Sequence, residues 1–463
     1  MNQGKGIVIA GLAGGSGKSV VSVGITAALS RSGKKVVPFK KGPDYIDAGW
    51  MQLGAGRKCY NLDPYLMTKE AIESSFTSRS IGADYVIVEG NRGLYDGVNA
   101  EGGYSTAELA VMLKLPVVLV VNCTKTTRTV AAMVLGCKMF DPRIEIKGVI
   151  LNQIGTKRQR LLITESVERY TGLPVFGAIP RLKKDIFPMR HLGMVPHQEY
   201  NNSSEALDFL VDLITENVDL EKVKQAMKPL PIVTAQGGGA IRPINQKNRV
   251  RIGVLQDAAF QFYYSENLEA LEGEGAELVY INAMTDTCLP EIDGLYIGGG
   301  FPETGATQLA ANESFRLSVK KAADAGLPIY AECGGLIYLG ESIELNGANY
   351  PLVGVFPVRF AMSKKPQAHG YSIFEASQDN SFYPHGTVVK GHEFRYSKVV
   401  GWSGTDEQLT VKMKRGTGFM NGKDGVTYKN VFALYTHVHA EGTPEWAPRF
   451  VAKCQKVQAH SAA

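Results

Sequence analysis

Ile7-Val8-Ile9-Ala10-Gly11-Leu12-Ala13-Gly14-Gly15-Ser16-Gly17-Lys18-Ser19 joins a short apolar run to a glycine-rich turn, and an apolar-periodic stretch then continues to Leu29. Strand, glycine loop and helix in that order are the setting a phosphate-binding loop requires. Gly11, Gly15 and Gly17, with Ser16 between them, let backbone N–H groups close around phosphate oxygens, and the helix start adds positive potential. Lys18 is spaced to reach the outer phosphates, and the Ser19 hydroxyl to ligate Mg²⁺. Leu12 stands where the strict G-x-x-x-x-G-K-[ST] pattern has its first glycine, so the loop reads G-x-x-x-G-x-G-K-S. A nucleotide-binding α/β unit is therefore expected at the start of the chain.

Working outward, further apolar runs alternate with helical stretches: Lys35–Phe39, Asp84–Val88, Pro116–Val121, Lys147–Leu151 and Pro174–Pro180. That alternation predicts a doubly wound parallel sheet, whose ligands sit at the C-terminal ends of its strands. Asp44 and Asp47 follow the second strand in Lys40-Lys41-Gly42-Pro43-Asp44-Tyr45-Ile46-Asp47. Carboxylates there face a metal–phosphate site or serve as turn and cap residues. Glu89 ends the third strand, the usual place for a carboxylate that orients Mg²⁺. Asn152, at the end of a later strand, reads either as a nucleotide-base ligand or as a plain turn residue. A helix-like stretch from about Ser204 to Met227 closes this first domain, residues 1–232. The glycine-rich, weakly apolar residues 233–248 read as a linker.

The second domain, residues 249–463, restarts the α/β pattern with Arg251–Leu255. Gly294-Leu295-Tyr296-Ile297 leads into Gly298-Gly299-Gly300, whose free N–H groups suit an oxyanion hole. Ala331-Glu332-Cys333-Gly334-Gly335 then sets a cysteine between an apolar strand and a helix start. Such a turn exposes a thiolate nucleophile, although a free cysteine also serves as a small buried hydrophobe. A nucleophilic thiol needs a base, and the histidines available are His392, His437 and His439.

Six cysteines without paired spacing argue against a disulfide framework or a zinc site. A net charge of +5 over 463 residues gives no case for nucleic-acid binding. The chain has no run of about 18 apolar residues and no leader-like segment. A soluble cytoplasmic protein acting without a membrane is expected.

The phosphate loop resembles that of dethiobiotin synthetase and its relatives. Taken together, Lys41–Asp47, Asn61-Leu62-Asp63-Pro64, Glu89-Gly90 with Gly93–Gly97, Arg190–Gly193, Gly299–Glu303, Glu332–Gly335 and Gly391-His392-Glu393-Phe394 resemble the cobyrinic acid a,c-diamide synthase family. The resemblance spans nearly the whole chain. It implies a P-loop amidoligase domain joined to a class I glutamine amidotransferase-like domain. ATP and Mg²⁺ would serve the first, with Gly11, Gly15, Ser16, Gly17, Lys18, Ser19 and Asn152 binding nucleotide. Ser19, Asp44 and Glu89 would then lie near the metal, and Asp44 and Asp47 near the carboxylate being activated. Glutamine would serve the second domain, with Cys333 as nucleophile and His437 as base, His439 and His392 being candidates to assist. The acceptor would be a tetrapyrrole polycarboxylate, and a homodimer is compatible with this reading.

Some residues depart from the family pattern: Ala48, Met51, Asn122 and Arg395 replace its common Pro, His, Asp and His. Met51 and Arg395 suggest an alternative acceptor, sirohaem or nickel sirohydrochlorin. A reading from another class is a nucleotide-switch scaffold whose glutaminase-like domain is inactive.

Overall fold

A computed structural model of the chain describes residues 3–182, 189–190, 193–200, 202–231 and 249–461. It divides into two compact units, Met1–Gly238 and Gly239–Ala463, each with its own principal sheet. The expected linker at 233–248 lies outside the described residues, as do His191 and Leu192 of the quoted motifs.

In the first unit, β1 (Lys5–Gly11), β2 (Val36–Lys41), β3 (Tyr60–Leu62), β4 (Tyr85–Glu89), β5 (Val117–Asn122), β6 (Ile146–Ile154) and β7 (Val175–Pro180) form a parallel path. Their order is β3-β2-β4-β1-β5-β6-β7. Helices cover both faces of such a sheet, which is why Ile7–Ile9, Val86–Val88 and Val117–Val121 are continuous apolar runs with no exposed surface. From β1 the chain first builds toward β2 and later crosses to β5, so a crevice opens at the C-terminal end of β1. The phosphate loop leads from that end into α1 (Lys18–Arg31).

The fold goes beyond the sequence reading at one strand and departs from it at one helix. Strand β3 is only three residues long and includes Asn61, too short for its periodicity to stand out. The stretch from Ser204 to Met227 is two helices, Ser203–Asn217 and Leu220–Ala226. The break has a local cause: the Asp219 carboxylate accepts the Lys222 N–H at 3.1 Å and starts a new helix.

The second unit has a ten-stranded mixed sheet. Glu277–Ile281, Arg251–Leu255, Gly294–Ile297, Ile329–Glu332 and Val431–Leu434 run parallel in that order. The path then turns antiparallel through Lys423–Tyr428, Leu409–Arg415, Ala368–Ala376 and Val388–Arg395, and ends on His437–Val438. It thus returns to the stretch that follows Val431–Leu434. Register sets Glu332 beside Leu434, and His392 beside His437. Behind the strand Ile329–Glu332, the buried Tyr330 ring packs against Tyr296, Phe382, Phe432 and Trp446, and its hydroxyl meets that of Tyr383 at 2.9 Å. Each such buried aromatic contributes roughly 1.5–3 kcal/mol. The strand carrying the cysteine turn therefore has a rigid floor.

Candidate functional site

Strand register assembles the first site. In the β2–β4 pair Lys40 lies opposite Glu89, and in the β1–β4 pair Ile9 does, so both charged residues end level with the phosphate loop. Lys40 is 1% exposed, and its ammonium lies 2.7 Å from Asp47 Oδ2, 2.9 Å from Glu89 Oε1 and 3.7 Å from Asp44 Oδ2. Ser19 Oγ is within hydrogen-bond distance of two of these acids, 2.9 Å from Asp47 Oδ2 and 2.8 Å from Glu89 Oε1. The loop holding the aspartates is fixed from both sides. Asn61 Nδ2 donates to Gly42 O and Asp44 O, while Asp44 Oδ1 accepts the N–H groups of Ile46 and Asp47.

Charge within the cluster is unevenly spread. Burial, with Asp47 adding repulsion, pushes the Asp44 carboxyl up to about 6. Burial also pushes Glu89 up to about 7, against the attraction of Lys40. Burial would raise Asp47 as well, yet the charge and hydrogen bonds of Lys40 and Ser19 bring it below the usual carboxylate range. Lys40 is correspondingly held well above its ordinary value, its acid neighbours outweighing the cost of burial.

Oxygen donors of this kind suit Mg²⁺. Glu89 Oε2 is buried and has no hydrogen-bond partner among the described residues, so one hard acceptor is left over for a cation. The described residues hold no group of three or more His, Cys, Asp or Glu arranged to cage a metal by themselves. Mg²⁺ does not require one, since it keeps waters and takes phosphate oxygens alongside one or two carboxylates.

Asn152 sits beneath the phosphate loop, where its side-chain amide donates to Ser16 O at 3.0 Å. Gly17 has φ 92°, and a Cβ added there would lie 2.0 Å from Asn152 Nδ2. Lys18 donates to Arg92 O at 2.7 Å and to Ala13 O at 3.3 Å, and Ser16 Oγ donates to Ala13 O at 2.9 Å. Gly17→Ala combines left-handed strain with that collision. It is expected to weaken ATP binding at least tenfold by calorimetry while leaving glutamine hydrolysis unchanged.

The second site is built on a strained turn. Cys333 has φ 47°, a conformation rare outside glycine, and its N–H donates to Leu434 O at 2.8 Å. Gly334 packs so closely on the Gly299–Gly300 backbone that an added Cβ would lie 2.9 Å from Gly300 N. His437 hydrogen-bonds the Cys333 thiol and is buried. Its Nδ1 lies 3.5 Å from Glu332 Oε2. Burial alone would depress this imidazole, but the Cys333 and Glu332 side chains outweigh it and raise the ring to about 10. The His392 ring stacks on His437 with centroids 4.8 Å apart and planes 17° from parallel. His439 faces elsewhere, with Nε2 3.8 Å from Glu266 Oε2.

Cys333, His437 and His392 thus come together in one unit, and Ser19, Asp44, Asp47 and Glu89 in the other. Lys40 and Glu332 are the site residues sequence reasoning passed over. Two expected specificity residues prove internal. Met51 has no exposed surface. Arg395 is buried with its guanidinium 3.8 Å from the Tyr435 ring centroid, donating to Ser397 O and Gly418 O.

Residues 7–192 match a family described as the CobQ/CobB/MinD/ParA nucleotide binding domain, and residues 251–445 one described as the CobB/CobQ-like glutamine amidotransferase domain. The chain is 40% identical over 437 residues to the cobyrinate a,c-diamide synthase of Magnetococcus marinus, covering 94% of this chain and 93% of the relative. With that of Archaeoglobus fulgidus it shares 39% identity over 452 residues, 97% of each chain. With that of Methanothermobacter thermautotrophicus it shares 39% over 447 residues, 96% of this chain and 98% of the relative.

Proposed function

This chain belongs to the cobyrinate a,c-diamide synthase family, and on that premise we propose how its two sites divide one reaction. The protein is an ATP- and glutamine-dependent carbon–nitrogen ligase that converts the a and c acetate side chains of a tetrapyrrole to carboxamides in cobalamin biosynthesis. One observation carries the division of labour: a phosphate loop facing an acidic cluster and a cysteine in contact with a buried histidine occur in one chain.

A carboxylate resists attack by ammonia because its own charge repels nucleophiles and oxide is a poor leaving group. Phosphorylation to an acyl phosphate removes both obstacles. In the first unit the loop Gly11, Gly15, Ser16, Gly17, Lys18 and Ser19 grips the phosphates, braced from below by Asn152. Ser19, Asp44 and Glu89 would hold Mg²⁺, which supplies charge neutralisation on the phosphates when bound. Asp44 and Asp47 orient the carboxylate to be activated.

In the second unit, His437 already holds the proton shared with the thiol when Cys333 attacks the side-chain amide carbon of glutamine. Gly299 and Gly300, which pair with Phe262 and Phe260 and pack against Gly334, would border the oxyanion, whereas the Gly298 N–H is taken up by the Tyr263 hydroxyl at 2.8 Å. His437 returns the proton to the leaving nitrogen, ammonia departs, and water cleaves the thioester to glutamate. That ammonia displaces phosphate from the acyl phosphate.

Met51 and Arg395, the residues behind the sirohaem alternative, are buried, and it is the parallel assay of the three tetrapyrroles that decides between the acceptors. A homodimer and a cytoplasmic setting complete the proposal. Met139, Phe140 and Leu161 are 70–74% exposed, apolar surface of the kind that a second copy would cover. No described helix is long and apolar enough to cross a membrane.

The test presents the enzyme, ATP and glutamine with cobyrinic acid, sirohaem and nickel sirohydrochlorin in parallel, read by mass spectrometry. Two successive acid-to-amide conversions on cobyrinic acid alone are expected. Conversion of another tetrapyrrole alone, or of none, overturns the reading.

A further inference from the structure

We propose that Glu332, the residue immediately before the nucleophile, is the positioning residue for His437 and completes a Cys333–His437–Glu332 relay. The inference rests on the glutaminase role of Cys333 and His437. Glu332 ends the strand Ile329–Glu332 and is 1% exposed. Its Oε2 faces His437 Nδ1 at 3.5 Å, longer than a tight hydrogen bond and usual for a resting catalytic pair.

The carboxylate is not loosely placed. Its Oε1 accepts the Val438 N–H at 3.2 Å, one residue beyond the histidine, and Tyr296 O–H points at Oε2 from 3.5 Å. Asn267 holds the same stretch from behind, with Nδ2 donating to Val438 O at 2.8 Å and Oδ1 accepting the Ala440 N–H at 2.7 Å. His392 stacks on the imidazole. Stacking and carboxylate together leave the ring one orientation.

His439 does not take this part. Its Nε2 is directed at Glu266, and its Nδ1 accepts the Glu441 N–H at 3.2 Å. A carboxylate at Nδ1 keeps the proton there, leaving Nε2 to accept the thiol proton, and it stabilises the imidazolium that results. Burial pushes the Glu332 carboxyl up while His437 draws it back, as expected of an acid whose main partner is that ring. Glutamine hydrolysis then has its nucleophile and its orienting acid on adjacent residues.

Full-length Glu332→Gln conserves volume and the acceptor for the Val438 N–H but removes the charge. Its glutamine-dependent kcat is expected to fall about 10²–10⁴-fold with KM for glutamine little changed. Amidation fed by ammonium chloride should stay at the wild-type rate. Iodoacetamide alkylation at Cys333, followed by peptide mass spectrometry, should slow in parallel. A merely structural role would instead lower both nitrogen sources together. A glutamine-dependent rate within about twofold of wild type, or an equal loss with ammonia, overturns the proposal. If the Gln variant does not fold, Glu332→Asp carries the test. It should slow glutamine turnover and spare ammonia use, and unchanged glutamine turnover overturns the relay. Failure of Cys333→Ala to block glutamine use would instead sink the glutaminase reading itself, so the two failures are distinguishable.

Discussion

Cys333→Ala is expected to abolish amidation driven by glutamine, by about 10⁶-fold where the nucleophile is lost outright, while amidation driven by free ammonia continues at close to the wild-type rate. Both halves of that result follow from the location of the chemistry. The thiol supplies the only covalent step in glutamine hydrolysis, so its removal leaves no slower version of the same path. The phosphate loop, Lys40, Asp47 and Glu89 belong to the other compact unit and make their contacts without it. The side chain lost is small and 6% exposed, so the cavity left is modest and folding should survive. Steady-state kinetics with each nitrogen source separates the alternatives. A nucleotide-switch scaffold with an idle glutaminase-like domain would show no loss at all.

Lys40→Met is expected to be the most destabilising single change at the first site. The ammonium sits among three carboxylates with almost no access to water, and deleting one partner of a buried ion pair costs about 3–5 kcal/mol. For a domain of this size that lowers the thermal midpoint by roughly 6–20 °C. The sign of the pH dependence follows from the neighbours. Asp47 has a carboxyl depressed largely by Lys40, so the stability it contributes is present above its unfolded value and lost as pH falls. Asp44, at about 6, and Glu89, at about 7, take up protons as the solution is acidified, which relieves their repulsion once Lys40 is gone. The difference in midpoint between wild type and Lys40→Met should therefore be larger at pH 8 than at pH 5. Adding Glu89→Gln should restore part of the midpoint without restoring ATP-dependent activity. A difference that shrinks as pH rises would contradict this account of the cluster.

Much of the architecture was legible because the informative residues are neighbours in sequence. The phosphate loop announces itself between a strand and a helix, and Glu89 and Cys333 each terminate an apolar run at a strand end. His437 could be nominated, together with two other histidines, but only the return of the sheet to residues 437–438 sets it against Cys333 and turns His439 toward Glu266.

Lys40 was harder to see. A lysine at a strand end ordinarily reads as solvated, and only the parallel register of β2 and β4 places it opposite Glu89. Glu332 lies inside the motif that singled out Cys333, yet nothing local distinguishes a strand-terminal acid that points at a histidine from one that caps a turn. Asn152 illustrates the reverse. Its two sequence readings are a base ligand and a turn residue; its Oδ1 accepts the Gln153 N–H, as a turn residue would, while its amide also braces the loop backbone at Ser16. Met51 and Arg395 stood out as departures in pattern, but a departure carries no information about burial, and both turned out to face inward.

The central claim is that one chain moves the amide nitrogen of glutamine onto a carboxylate activated at its phosphate loop. Incubation with glutamine carrying a nitrogen-15 side-chain amide, ATP and cobyrinic acid, followed by mass spectrometry of the tetrapyrrole, tests it most directly. The account predicts a product carrying the label in both new carboxamides, and no labelled product from Cys333→Ala. Amidated product without label, or label incorporated equally well without Cys333, would contradict it.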